Sequence, residues 1–147
     1  MPLFRTIDIS ASGLTAERLR MDVIASNIAN ANSTRSPNGT AYRRLIAVLE
    51  AAETEDGKAR RSLRQADLFR GAGVRVGSVA ADQSPLQTIY DPTHPDADAA
   101  GYVTLPNVNP VTEMVDLIAA TRAYEANVTV LNATKQMALK ALEIGKA

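Results

Sequence analysis

The chain has 147 residues, 46% of them hydrophobic but only 4% aromatic, with no tryptophan. That apolar share excludes a globally disordered chain, and its reliance on alanine points to close helix packing over a bulky globular centre. Sixteen basic residues balance sixteen acidic ones and cysteine is absent, which excludes a bulk electrostatic footprint for nucleic acid, disulfides and thiolate chemistry.

The first residues, MPLFRTIDIS, lack the basic region and apolar run of a Sec-type signal peptide, and no window approaches the ~20 apolar residues of a membrane span. Ile7, Leu14, Met21 and Ile28 then fall seven apart, the period of a coiled-coil-like seam. Ile24 and Ala31 add a second row, which Ser10 and Glu17 break. This predicts a helix over residues 7–32, weakened in its first turns by Gly13. The stretch SNIANANST crowds Asn27, Asn30 and Asn32 at its end, although the asparagine amide competes for nearby backbone groups. Packed among helices, such amides fix register; at a helix end they start a turn. The interface reading is preferred for Asn27; in the competing account Asn30 or Asn32 merely ends the helix, and both readings stay open for Asn32.

The middle, residues 36–108, is richer in glycine and proline. Ala41–Ala51 fits a strand or a short helix, and periodicity does not decide. Glu53–Arg61 is charged and holds the turn pair Asp56-Gly57, so a flexible stretch is expected near residues 50–70. Val74–Val79 alternates as a strand does, Leu86–Tyr90 fits another, Asp91–Gly101 is a loop and Tyr102–Pro106 a last short strand. Asn109 before Pro110 reads as an N-cap with proline in the first helical position. One helix is expected over residues 110–144, roughly 50 Å long. Glu113 and Asp116 suit the positive end of its dipole, Lys135, Lys140 and Lys146 the negative end, and Gly145 the stop. Leu117, Tyr124, Leu131 and Ala138 are spaced by seven; Met114, Val128 and Leu142 share a neighbouring row, widened by Ile118 and Leu139.

The expected fold is therefore mainly α with a small β part: long N- and C-terminal helices form a coiled-coil-like pair, with a short-stranded segment between them. The chain divides into residues 1–35, 36–108 and 109–147. Two long helices alone cover only one side of each other. A ~50 Å helix also outreaches a middle of about 70 residues, ~25–30 Å across. The uncovered seams thus favour other chains as partners. They place an assembly interface on Leu14, Met21, Ile24, Asn27, Ile28 and Asn30 of the first helix. The second helix contributes Met114, Leu117, Ile118, Tyr124, Asn127, Val128, Leu131 and Leu142.

Chemical sites are poorly supported. His94 with Asp91, Asp96 and Asp98 matches no metal-ligand spacing and reads as a surface turn. No serine sits in a G-x-S-x-G turn, and Gly71–Gly77 lacks the dinucleotide spacing and a following helix. Arg43 and Arg44, with Arg60, Arg61 and Arg64, form a candidate anion patch that reads better as solvated charge. No acid, base or nucleophile set converges, so no catalytic residue, metal or cofactor is expected.

Two long motifs carry a resemblance. Ala25–Arg44, ASNIANANSTRSPNGTAYRR, resembles the N-terminal signature of bacterial flagellar rod and hook proteins. The longer spacing before Tyr42-Arg43-Arg44 is that of proximal-rod members, and Ala41 stands where the family often has proline. Ser84–Val103 and Gly101–Lys146 are similar to the same family. The resemblance implies a structural, non-enzymatic subunit of the proximal rod of the basal body, a helical tube that transmits torque. It further implies terminal helices lining the export channel, with the middle segment outside them. Implied partners are FlgB, FlgF, FlgG, FliE, copies of the chain itself and the flagellar type III export apparatus. The implied place is the periplasmic rod, reached without a cleaved signal peptide. The rival reading is a soluble adaptor that holds a single partner helix in a groove.

Overall fold

The computed structural model describes residues 2–36, 39–52 and 73–145. Helix α1 (Pro2–Ala29) and helix α2 (Pro110–Ile144) pack against each other, and among the described residues four strands lie between them in sequence. With 28 and 35 residues, the helices are ~42 and ~53 Å long. The architecture is the mainly helical one with a small β part that the sequence predicts.

The pair is antiparallel. Asn27 bonds Glu113 near one end, Met21 meets Thr121, and Gly13 lies against Asn127. A Cβ on Gly13 would stand 3.0 Å from the Asn127 amide nitrogen, so the glycine sets how closely the helices approach there. Carried forward, this register brings Pro2 level with about residue 138, so Leu139, Leu142 and Ile144 lie beyond the described start of α1.

Large heptad residues do not make the deepest contact. The buried positions are Ser10, Gly13, Ala16, Val23, Ile24 and Asn27 on α1, and Glu113, Ala120 and Thr134 on α2. Ile7, Leu14, Met21 and Ile28 are half-buried on the flanks, as are Leu117, Tyr124, Leu131 and Ala138. Small side chains let the backbones close up, and the larger ones then splay to either side.

Helix α1 stops earlier than residue 32. The Asn30 amide donates to Ser26 O (2.9 Å), and the chain tightens through Ala31 N to Ile28 O (3.2 Å) and Ser33 N to Asn30 O (3.0 Å). Asn32 is exposed. Helix α2 starts and ends as expected: the Asn109 side chain accepts from Val111 N (3.0 Å) and Thr112 N (3.4 Å), with Pro110 next. Gly145 closes it at φ −76°, without the left-handed conformation that favours glycine, and Lys140 turns to Glu143 (2.7 Å).

Ala41–Ala51 resolves into strand β1 (Leu45–Ala51), antiparallel to β2 (Val74–Ala81) from Leu45↔Ala81 to Ala51↔Val74, with a bulge between Val48 and Leu49. Strand β3 (Gln87–Tyr90) pairs antiparallel with β4 (Tyr102–Leu105) across the loop 91–101. Both β1 and β2 lie against α1. Val103, Pro106 and Val108 are buried along the chain that leads into α2. Asp56-Gly57, most of the stretch near residues 50–70, Arg60, Arg61, Arg64 and Lys146 lie outside the described residues. Among the described residues no helix is long and apolar enough to cross a membrane.

Candidate functional site

In the last turn of α1, Asn27 points inward with 1% of its surface exposed. A side-chain amide offers two donor hydrogens and two acceptor lone pairs, and here all four are used. Its Oδ1 accepts from Tyr42 Oη (3.0 Å) and Leu45 N (2.9 Å). Its Nδ2 donates to Leu45 O (2.8 Å) and Glu113 Oε2 (2.9 Å). Asparagine thus ties the first residue of β1 to the first turn of α2. Leucine in its place would orphan every partner, and aspartate would lose both donors.

Glu113 is wholly buried, and its other oxygen accepts from Arg44 Nε at 2.5 Å. The guanidinium reaches on to Asp116 Oδ2 (3.2 Å) and Asp82 Oδ2 (4.0 Å), so one cation sits among three carboxylates. The position of Glu113 in the first turn of α2 adds the favourable helix dipole. The backbone of Arg44 is held too: its N–H donates to Asn107 Oδ1 (2.8 Å), and its carbonyl accepts from Asp82 N (2.8 Å). Asn107 Nδ2 and Arg43 Nη1 both donate to the carbonyls of Asp82 and Ser84, at 3.2–3.3 Å. Within that turn the Ser84 hydroxyl (2.6 Å) and N–H (2.8 Å) bond Asp82 Oδ1 and hold its carboxyl below the usual aspartate range, with Arg44 and Arg43 adding to the effect. Arg43 and Arg44 are thus neither an anion patch nor solvated charge. They are the centre of a clasp joining α1, β1, the 82–84 turn and α2.

Such a cluster can hold geometry. The buried charge of Glu113 is paired, and removing one member leaves its partners short of a donor or an acceptor. The His94 loop is likewise spent on its own turns. Asp91 Oδ1 accepts from Thr93 Oγ1 (2.7 Å) and N (3.1 Å), which lowers its carboxyl pKa. His94 Nδ1 accepts from Asp96 N (3.1 Å), Asp96 takes the Thr34 hydroxyl (2.7 Å), and Asp98 accepts from Ala100 N and Tyr102 N (both 2.9 Å).

The sequence-predicted interface residues divide three ways. Ile24 and Asn27 lie inside the chain; the bonds of Asn27 to Leu45, Tyr42 and Glu113 take the place of the intersubunit contact expected for it. Leu14, Met21, Ile28, Asn30, Leu117, Tyr124, Asn127, Val128 and Leu131 are half-buried along the helix pair. Met114, Ile118 and Leu142 are 51%, 55% and 65% exposed. Sequence reasoning missed Arg44, Tyr42, Asn107 and Glu113 as a unit. The available signal was the row Glu113, Ala120, Asn127, Thr134, which keeps a seven-residue spacing with small or polar members. It also passed over Val111, Val115, Met137 and Ile144, which extend the exposed apolar surface of α2.

The clasp binds together two segments that match known families. Residues 7–35 match the flagella basal body rod protein family, and residues 99–144 match the flagellar basal body rod FlgEFG protein C-terminal family. The chain is 48% identical to the flagellar basal-body rod protein FlgC of Bacillus subtilis, over 99% of this chain and 100% of the relative. The chain belongs to the FlgC family of flagellar basal-body rod proteins. Its similarity to the FlgC of Borreliella burgdorferi is 49% identity over 98% of both chains, and to that of Salmonella typhimurium 41% over 99% of this chain and 100% of the relative. In this FlgC-family chain, Asn27 comes from one matched segment and Glu113 from the other, and the Asn27–Glu113 bond closes the two onto each other.

Proposed function

We propose that this chain, a structural subunit of the flagellar basal-body rod, builds the proximal part of that rod by packing its terminal helices against those of neighbouring subunits. The observation that carries this reading is the uncovered apolar surface of α2. Val111, Met114, Val115 and Ile118 stand 51–69% exposed near its start, and Met137, Leu139, Leu142 and Ile144 52–78% exposed near its end. A lone chain gains nothing from presenting so much apolar surface to water, whereas a polymer covers it. Non-identical patches repeated from copy to copy give an open helical assembly.

In this reading residues 1–35 and 109–147 form an inner core lining the export channel, and residues 36–108 lie outside it. The assembly surface comprises Leu14, Met21, Ile28, Asn30, Met114, Leu117, Ile118, Tyr124, Asn127, Val128, Leu131 and Leu142. The clasp keeps the outer segment at a fixed angle to the helices, so that torque passes through a stiff subunit. Partners are FlgB, FlgF, FlgG and FliE with further copies of this chain, reached in the periplasm through the type III apparatus without a cleaved signal peptide. The role is mechanical and not catalytic. Mixing the full chain with purified rod subunits and following sedimentation tests it. Polymers that grow with concentration are expected; a saturable one-to-one complex would instead mark an adaptor for one partner helix.

A further inference from the structure

Each helix carries three exposed charges away from the clasp that the fold leaves unused. On α1, Asp8, Arg18 and Asp22 share one stripe that runs from Phe4 to Ala29 in steps of four and three residues, the spacing of a single helix face. On α2, Glu125 and Lys135 share a seam of the same spacing that runs from Met114 to Leu139, and Arg122 stands one residue off it. Among the described residues none of these six side chains has an ion pair or a hydrogen bond. Neither the stripe nor the seam includes a buried residue of the helix pair.

Read in opposite directions, the two sets of charges are complementary. Forward along α1 the signs run minus, plus, minus, ten and four residues apart; backward along α2 from Lys135 they run plus, minus, plus, ten and three apart. One antiparallel register therefore sets Asp8 against Lys135, Arg18 against Glu125 and Asp22 against Arg122. A slip of one heptad in either direction brings none of these charges together, and a parallel pairing brings together at most two of the three pairs. The same register puts the exposed Phe4 opposite the exposed Leu139, Ala25 opposite Ile118 and Ala29 opposite Met114. The apolar ends of the seam meet an aromatic ring at one end and small side chains at the other, with the charges between.

We propose that the α2 seam takes a second copy of this chain: the outer stripe of α1 in one copy packs antiparallel on the α2 seam of the next, in the register of the three opposite-charge pairs. The inference rests on the rod-subunit reading and gives it one partner. The occupant is a copy because this chain carries both halves of the match, in order and in spacing. Exposed ion pairs add little to affinity, so the apolar ends hold the contact and the charges fix its direction and register. That register lies within about 5 Å along the helix axis of the one that sets Gly13 against Asn127 and Met21 against Thr121 inside the chain, so neighbouring copies stand side by side. The two surfaces differ, so each copy offers one to either neighbour and the row grows beyond a pair.

Two full-length variants, R18E/D22R and R122E/E125R, exchange the signs on one helix each. Both keep opposite charges within the altered helix and leave the net charge of the chain at +0. In co-sedimentation with rod subunits either variant alone falls by about tenfold, because like charges then face each other wherever two copies meet. An equimolar mixture of the two recovers to within about twofold of the unaltered chain, since copies that alternate again join opposite charges. Recovery by mixing also excludes misfolding, which a second variant does not repair. The chain contains no cysteine, so a mixture of Ala11→Cys and Asn132→Cys copies, which this register sets opposite each other, forms disulfide-linked dimers in the polymer. No loss in either exchange variant, loss in only one of them, or absence of the linked dimer overturns the contact. So does a loss that mixing does not recover, because that face then meets a different rod subunit. Failure of the unaltered chain to polymerise overturns the rod-subunit reading itself, and this contact with it.

Discussion

Where α1 ends and α2 begins, Asn27, Tyr42, Arg44 and Glu113 satisfy one another inside the chain; where α2 ends, Leu139, Leu142 and Ile144 stand 52%, 65% and 78% exposed beyond the described start of α1. The inner face of the first region is polar and finished; the second region, like the outer face of α2 at Val111, Met114, Val115 and Ile118, is apolar and uncovered. Polar groups need partners at set distances and angles, so a satisfied cluster specifies one arrangement of one chain. Apolar surface is indifferent to direction, so it suits contacts that recur among many copies.

The strongest way to break the contrast is Glu113→Ala. It takes the nearest of three carboxylates from the Arg44 guanidinium and one of two acceptors from the Asn27 amide, and urea denaturation is expected to lose about 3 kcal/mol of unfolding free energy. Asn27→Ala follows, at about 2 kcal/mol, because Leu45 N and O and the Tyr42 hydroxyl lose their partner. That loss is measured on the dilute chain, where an intersubunit residue would register almost nothing. Leu142→Asp sharpens the contrast from the other end: monomer stability stays within about 0.5 kcal/mol, yet co-sedimentation with rod subunits disappears.

The smallest effect is electrostatic. The Asp82 carboxyl is depressed in the folded chain, first by the Ser84 hydroxyl and then by the Ser84 N–H. Its stabilisation is therefore fully present above the ordinary aspartate value of about 3.9 and is lost as pH falls through the folded value. In Ser84→Ala the carboxyl returns toward the ordinary value in an NMR titration, and the stability gap to the unaltered chain closes only in acid.

Helix α2 was readable because its signals are local: Asn109 and Pro110 at one end, Gly145 at the other, and a seven-residue spacing between. Strands β2, β3 and β4 also announced themselves, by alternation and flanking turns. Ala41–Ala51 did not, because its strand state depends on pairing with Val74–Ala81. The clasp was hidden for the same reason at longer range. Arg44 beside Arg43 looks like surface charge, and only its long-range partners, Glu113 69 residues onward with Asp82 and Asp116, show it to be the centre of a cluster. The heptad reading followed large side chains, whereas closest approach belongs to Gly13, Ala16 and Ala120, whose smallness carries no signal in a hydrophobic pattern.

Asn27 and Glu113 stand 86 residues apart in the chain. Contacts of such sequence separation come at the cost of closing a large loop and form late. A polypeptide emerging N-terminus first has already exposed Asn27, Tyr42 and Arg44 before Glu113 arrives to neutralise them. Until then Arg44 has only Asp82, and the Asn27 amide lacks one of its two acceptors, which keeps the early chain loose. The last helix to appear is the one that lets the fold lock, so this molecule sets its own finishing time.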